Sequence, residues 1–220
     1  TSSNSQAVRI LTSQYNNFTR NNISGTYGYF IQGSNNTMLQ HCTQTEGFTR
    51  DVEIHSDANS GANYALNCSY DSERVQGASN ELYRQWYIDA NVSDSQGTAL
   101  QNANVSIYNV SGLRLSSELS DLNGDITTII ATAYVNRGGT RVYWTNHTIN
   151  TTLAGYQDAS YSYNLSLEEN LFSTITMYNT SEIYRCSDIT QPGYYTLTQD
   201  IASSGTCIHI HTDNVTINGQ

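Results

Sequence analysis

An Asn-led phrase returns along this chain at short, regular intervals. Residues 16–24 (NNFTRNNIS) and 35–43 (NNTMLQHCT) begin 19 residues apart, and residues 213–219 (DNVTING) repeat the pattern near the other end. Each copy sets Asn before a short apolar or Thr-rich run. A period near 20 with one short strand per repeat suits a parallel β-helix, because each coil buries its inward side chains only against its neighbours. Asn suits the corners, since it tolerates left-handed backbone and can hydrogen-bond to the next coil. A few irregular strands would accommodate the same phrases, so both arrangements stay open at this point.

The pattern divides the chain in three. Residues 1–79 carry short extended runs broken by Asn and Gly and read as coils. Residues 80–179 carry longer alternating runs at Trp86 to Val92, Ala103 to Val110, Ile126 to Val135, Thr148 to Leu153, Tyr161 to Leu167 and Ser173 to Tyr178, at the spacing of an all-β sandwich of about 100 residues. Residues 180–220 return to the first style, with the lone proline at Pro192 and three short strands, and read as a cap and first coil. The run stops where further coils would be needed to cover its edge.

Composition narrows the function classes. The chain has 9 basic and 19 acidic residues, a net charge of −10, and no lysine. Nucleic-acid binding needs clustered Lys and Arg and is not expected. The same absence removes P-loop and Schiff-base chemistry. Charged residues are 13%, with polar uncharged side chains and 17 tyrosines in their place. The aromatic and β-branched content argues against disorder. The longest apolar-leaning run, ITTIIATAYV, is far short of the roughly 20 residues of a membrane span. Nothing resembling a signal peptide precedes Thr1, so a processed chain or an excerpt is expected, and the type IV pilin architecture, which needs an N-terminal hydrophobic helix, is not.

Asn-X-Ser/Thr triplets occur at Asn17, Asn22, Asn35, Asn67, Asn91, Asn104, Asn109, Asn146, Asn150, Asn164, Asn179 and Asn214. Chance would give about six at this composition, so N-glycosylation and an extracellular location are expected. Strand phase agrees: with Trp86, Ile88, Ala90 and Val92 inward, Asn91 points out, and Asn104, Asn146, Asn150 and Asn164 fall on the solvent phase of their own runs. Four cysteines, Cys42, Cys68, Cys186 and Cys207, fit two disulfides in an oxidising compartment. Sequence proximity favours Cys42 with Cys68 and Cys186 with Cys207, although three connectivities exist.

Candidate chemistry is sparse. His209 and His211 share a strand face with Asp213 next in phase, which a solvent-facing strand explains as well as a metal would. Residues 121–125 (DLNGD) resemble part of a calcium loop around Asp121, yet lack the downstream Glu, and a tight turn accounts for them. No GxSxG, HExxH or paired-carboxylate site is evident, and no catalytic residue, cofactor or metal is expected. Tyr27, Tyr29, Tyr194 and Tyr195 could stack on sugars or line a contact, or simply sit half-buried on strands.

Over nearly the whole chain there is a family likeness. The segment ELYRQWYIDANVSDSQGTALQNANVSIYNVSG, continuing through SDLNGDITTIIATAYV and TNHTINTTLAGY, resembles the Ig-like, carboxypeptidase-regulatory-like sandwich embedded in large archaeal surface proteins. The flanks resemble right-handed parallel β-helix repeat proteins, CSDITQPGYYTLTQDIASSGTCIHIHTDNVTINGQ being similar to their opening segment with its cysteine pair. Such proteins run cap, coils, sandwich; here the order is coils, sandwich, cap. The resemblance implies an Ig-like sandwich flanked by β-helix coils that complete one another head to tail, with Val8 and Ile10 at one edge and Val215 and Ile217 at the other, and Gln220 leading on to Thr1. The expected product is a non-enzymatic filament subunit or repeat whose partners are copies of itself and N-linked glycans, with cell-surface polysaccharide a further candidate. A carbohydrate-binding or polysaccharide-degrading β-helix protein and a non-polymerising adhesin stalk are the alternatives.

Overall fold

The computed structural model of the protein describes residues 6–42, 44–55, 61–167 and 169–219. The suggested joint between Gln220 and Thr1 lies outside these residues. The described chain is almost entirely β, and the N-terminal part winds alternately between two parallel sheets. One holds β1 (Gln6–Leu11), β3 (Asn22–Gln32), β5 (Gln44–Ile54) and β7 (Glu73–Val75); the other takes β2 (Asn17–Thr19), β4 (Met38–Gln40), β6 (Ala62–Leu66) and β8 (Glu81–Asp94). From β1 to β7, successive windings advance by 21 to 26 residues. The apolar ladder follows from that step: Ile10 pairs with Ile31, Ile31 with Ile54 and Ile54 with Val75, all inward and buried.

The recurring Asn phrases mark equivalent corners of these windings. Tyr15, Asn36 and Gly61 adopt positive φ just before β2, β4 and β6. At Gly61 an added Cβ would lie 3.0 Å from the Asn35 side chain, so the corners stack closely. Stacked polar side chains hold the turns, with Ser34 Oγ accepting from Ser13 N and Asn63 Oδ1 from Thr37 N. Cys42 and Cys68 form a disulfide across the opposite corners of successive coils.

No gap separates the coils from the sandwich, because β8 belongs to both. Its first residues, Glu81 to Gln85, pair in parallel with β6, and Ile88 to Asp94 pair in parallel with β15 (Leu171–Met177) along the same edge. The boundary placed near residue 80 falls just before this shared strand, which itself belongs to both parts. The body then consists of two sheets, one with β8, β15, β11 (Ile129–Arg137) and β12 (Thr140–Tyr143), the other ordered β10 (Arg114–Leu119), β9 (Asn104–Tyr108), β13 (His147–Thr152) and β14 (Ala159–Tyr163). Trp86, Ile88, Ala90 and Val92 are all buried between them, as their alternation requires. The strand expected over Tyr161 to Leu167 ends instead at Tyr163 and gives way to a single 3-10 turn, Leu165–Leu167. Asn164 Oδ1 accepts from Ser166 N and Thr145 Oγ1 from Leu165 N, which turns the backbone off the sheet.

A buried polar knot ties the coils to the body. Glu73 accepts from Tyr70 OH (2.7 Å), Tyr134 OH (3.0 Å), Asn136 Nδ2 (2.8 Å) and Arg141 Nε (2.9 Å). Its side chain is 1% exposed. Beside it, Arg84 lies fully buried with its guanidinium 3.8 Å from the Tyr70 ring centroid and 4.7 Å from that of Trp86. Burial pushes the Tyr70 and Tyr134 phenols up, keeping both as hydrogen-bond donors to the carboxylate.

The C-terminal part resumes the alternation. Strands β16 (Glu182–Ile183), β18 (Gly193–Leu197) and β20 (Val215–Asn218) form one parallel sheet, while β17 (Ser187–Ile189) and β19 (Ile208–Ile210) form another. A disulfide joins Cys186 to Cys207. Glu182 anchors this stack to the body by accepting from Ser95 Oγ and Asn179 N, and Tyr184 stacks on Tyr178 with ring centroids 3.7 Å apart. No helix among the described residues is long and apolar enough to cross a membrane.

Candidate assembly interface

The two stacks end in free parallel edges among the described residues: β1 and β2 at one end, β19 and β20 at the other. At the first, Ile10 is buried, Val8 and Phe18 are half-buried, and Phe18 meets Tyr29 edge-on at 5.8 Å. Leu11 and Tyr15 are exposed. At the second, Val215 and Ile217 are half-buried and Ile210 is 52% exposed. Val8 and Ile10 lie on β1 and Val215 and Ile217 on β20, while Phe18 on β2 and Ile210 on β19 are edge residues that sequence reasoning missed; the alternation in IHI, like that in VRI, was a signal for Ile210.

The C-terminal stack buries fewer apolar side chains among the described residues than the N-terminal one. Its fully buried apolar side chains among the described residues are Ile183 and Ile189. Burying such a side chain is worth about 1.5 to 3 kcal/mol, less than ordering the strands costs. The N-terminal stack, by contrast, closes around Tyr29, Ile31, Leu39, Val52, Ile54, Ala65 and Leu82.

The two edges also match in detail. In the first, the ladder residue Ile10 is followed by a corner with positive φ at Tyr15 and then β2; in the second, Ile210 is followed by a corner with positive φ at Asn214 and then β20. Ile189 pairs with Ile210 as Ile10 pairs with Ile31, so both stacks carry the same inward ladder.

The acceptor asparagines separate by environment. Asn17, Asn22, Asn146, Asn164, Asn179 and Asn214 are exposed, and Asn35, Asn67, Asn91, Asn104 and Asn150 are half-buried. Asn109 departs from the expected surface position: it is 8% exposed, and its Oδ1 accepts from Ser111 N, Ser111 Oγ and Leu113 N to close the turn into β10. Two half-buried amides are also engaged as donors, Asn67 Nδ2 with His41 Nδ1 and Asn91 Nδ2 with Asn123 O and Asp125 Oδ1.

The calcium-like segment is a hydrogen-bonded turn. Asp121 Oδ1 accepts from Asn123 N and Asp125 N, and Gly124 sits at φ 81° with an added Cβ only 2.3 Å from Val92 O. Tyr29 is a core residue, whereas Tyr194 is exposed beside a cleft of about 560 Å³ between the body and the C-terminal stack, lined by Gln157, Glu182, Thr190, Pro192 and Tyr195.

No family model and no curated protein matches the chain. Among solved structures it is similar to the TIE protein of Bacillus anthracis, at 13% identity and TM-score 0.34 over 56% of this chain and 22% of that one. It is also similar to a double mutant of the shaft pilin SpaA from Lactobacillus rhamnosus GG, at 16% identity and TM-score 0.27 over 49% of this chain and 53% of that one. The chain thus spans less than two thirds of either protein.

Proposed function

We propose that the chain is an extracellular, glycosylated, non-enzymatic structural subunit or repeat of a surface filament, assembled head to tail. The two stacks are the split halves of one right-handed parallel β-helix, an order shifted from the cap, coils, sandwich of the archaeal surface proteins the sequence resembles, and the body is an Ig-like sandwich between them. One observation carries this reading: the last coil of the C-terminal stack leaves Ile210 uncovered, and the first coil of the N-terminal stack offers the same ladder and corner. Laying β1 of one unit on β19 of another sets Val8 beside Ile208 and Ile10 beside Ile210. Laying β2 on β20 sets Phe18 beside Ile217. The ladder then runs Ile189, Ile210, Ile10, Ile31, Ile54, Val75 without interruption.

A contact between unlike ends propagates into an open filament wherever the rotation from unit to unit does not close a ring. Free strand edges, ordinarily an aggregation hazard, become the joining surface. Two disulfides suit an oxidising exterior, and the exposed asparagines along the flank suit N-linked glycans. Copies of the chain are the principal partners, with cell-surface polysaccharide a further one.

Electron microscopy beside the mass of the reduced, denatured chain tests the proposal. Regular fibres built from chains near 24 kDa plus glycan are expected, and Ile210→Asp is expected to leave separate units by placing a charge in the joint. Fibres whose chains are many times heavier would assign the same joint to a tandem-repeat protein. Wild-type units that stay separate at high concentration, or fibres unaffected by Ile210→Asp, would contradict head-to-tail stacking through this edge.

A further inference from the structure

The sequence places Asp213 in phase with His209 and His211, but the fold brings a different carboxylate to them. Asp188 on β17 is the register partner of His209 on β19, so the two side chains leave the same face of adjacent parallel strands. His211 follows one pleat further, and its backbone N donates to Ile189 O at 2.8 Å, which extends the pairing to that residue. One ligand atom from each of Asp188, His209 and His211 lies within 4.8 Å of the others. His211 Nε2 and Asp188 Oδ1 are 3.9 Å apart, and the two imidazole planes are 8° from parallel.

We propose that Asp188, His209 and His211 form a binding site for a divalent transition-metal ion, with zinc as its most available occupant. Two imidazoles and one carboxylate on one face are a sufficient donor set for zinc, nickel or copper, and they leave further positions to water. Bonds of about 2.0 to 2.2 Å require the three donors to draw closer than they stand. All three side chains are exposed, so rotation about their own torsions suffices. The backbone beneath is already fixed: the Cys186–Cys207 disulfide joins the same two strands two residues before Asp188 and His209.

The site would do for this stack what its small core does not. A metal held by β17 and β19 links successive coils on their outer side, opposite the inward Ile189 and Ile210. It stabilises the edge strand by binding the folded form alone. The ligand set is complete on one chain, so the site stands whether or not units stack.

Titrating zinc chloride into the chelator-treated protein, followed by calorimetry and by histidine side-chain NMR, tests the site. One zinc per chain is expected, with resonances of His209 and His211 shifting while those of His41, His55 and His147 stay. Asp188→Asn, His209→Ala and His211→Ala each weaken binding by about tenfold or more, while Asp213→Asn leaves it unchanged. Absence of saturable binding, equal shifts at all histidines, wild-type affinity in the three variants, or a loss in Asp213→Asn would each overturn the assignment.

Discussion

Glu73→Ala destabilises the protein by about 3 to 5 kcal/mol in urea unfolding, the cost of leaving buried partners without their acceptor. Tyr70 OH, Tyr134 OH, Asn136 Nδ2 and Arg141 Nε converge on this carboxylate. Tyr70, Tyr134 and Asn136 are all buried, so water does not readily replace the lost bonds. Arg141→Ala also destabilises, because it leaves the buried Glu73 carboxylate without its ion partner, but by less than Glu73→Ala, since the bonds from Tyr70, Tyr134 and Asn136 remain. Glu73→Gln keeps the shape and falls between the two. A Glu73→Ala variant within about 0.5 kcal/mol of wild type would show that the knot contributes little. The position joins two parts of the fold: β7 belongs to the coils, β11 and β12 to the body, and the carboxylate bonds to both.

Acid weakens the fold through His147. This residue is fully buried at the start of β13, and neither ring nitrogen has a hydrogen-bond partner among the described residues. Burial pushes its imidazole down to about 4 from an ordinary value of 6.5. The unfolded chain therefore takes up a proton between pH 6.5 and 4 that the folded chain refuses, and stability falls as pH falls through that window. Well above pH 6.5 both forms are neutral and the effect vanishes. Between pH 7.5 and 4.5 the loss amounts to about 2.5 kcal/mol. Carboxylates titrate in the same range, so the measurement is the difference between wild type and His147→Asn in urea midpoints at the two pH values. The variant is expected to lose about 2.5 kcal/mol less on acidification. Equal losses would mean that His147 is protonated in the folded state as readily as in the unfolded one.

Local alternation carried the body of the fold from sequence. Phase along Trp86 to Val92 placed every second side chain inward because both neighbours of β8 bury the same face. The Asn phrases located β2, β4 and β20 because left-handed corners are a demand of single residues. What escaped notice depends on partners distant in the chain. Strand β12 is exposed throughout and forms only because β11 offers it an edge, so its own residues carry no burial pattern. Arg84 looks like a surface residue in ELYRQW, yet its guanidinium lies buried against the rings of Tyr70 and Trp86. Asn109 reads as an acceptor by its triplet, yet the same side chain is what closes a turn.

At the proposed joining edge, apolar residues at both ends are legible in the sequence; the matching ladder needs register. Pairing of Val8 with Tyr29 and of Asp188 with His209 fixes which residue of each edge strand faces inward, and hence which residues the proposed stacking would bring together. The two exposed middle positions, Arg9 and His209, become neighbours in that register.

Cross-linking those two positions tests head-to-tail stacking most directly. All four native cysteines are paired, so a chain carrying both Arg9→Cys and His209→Cys has two new thiols and no others among the described residues. Adjacent strands bring such positions within the roughly 4.4 to 6.8 Å between Cα atoms that a disulfide spans. Mild oxidation followed by a non-reducing denaturing gel should give a ladder of dimers, trimers and longer chains that collapses to monomer with reductant. Chains that remain monomeric after oxidation, while their fibres persist, would place the joint elsewhere.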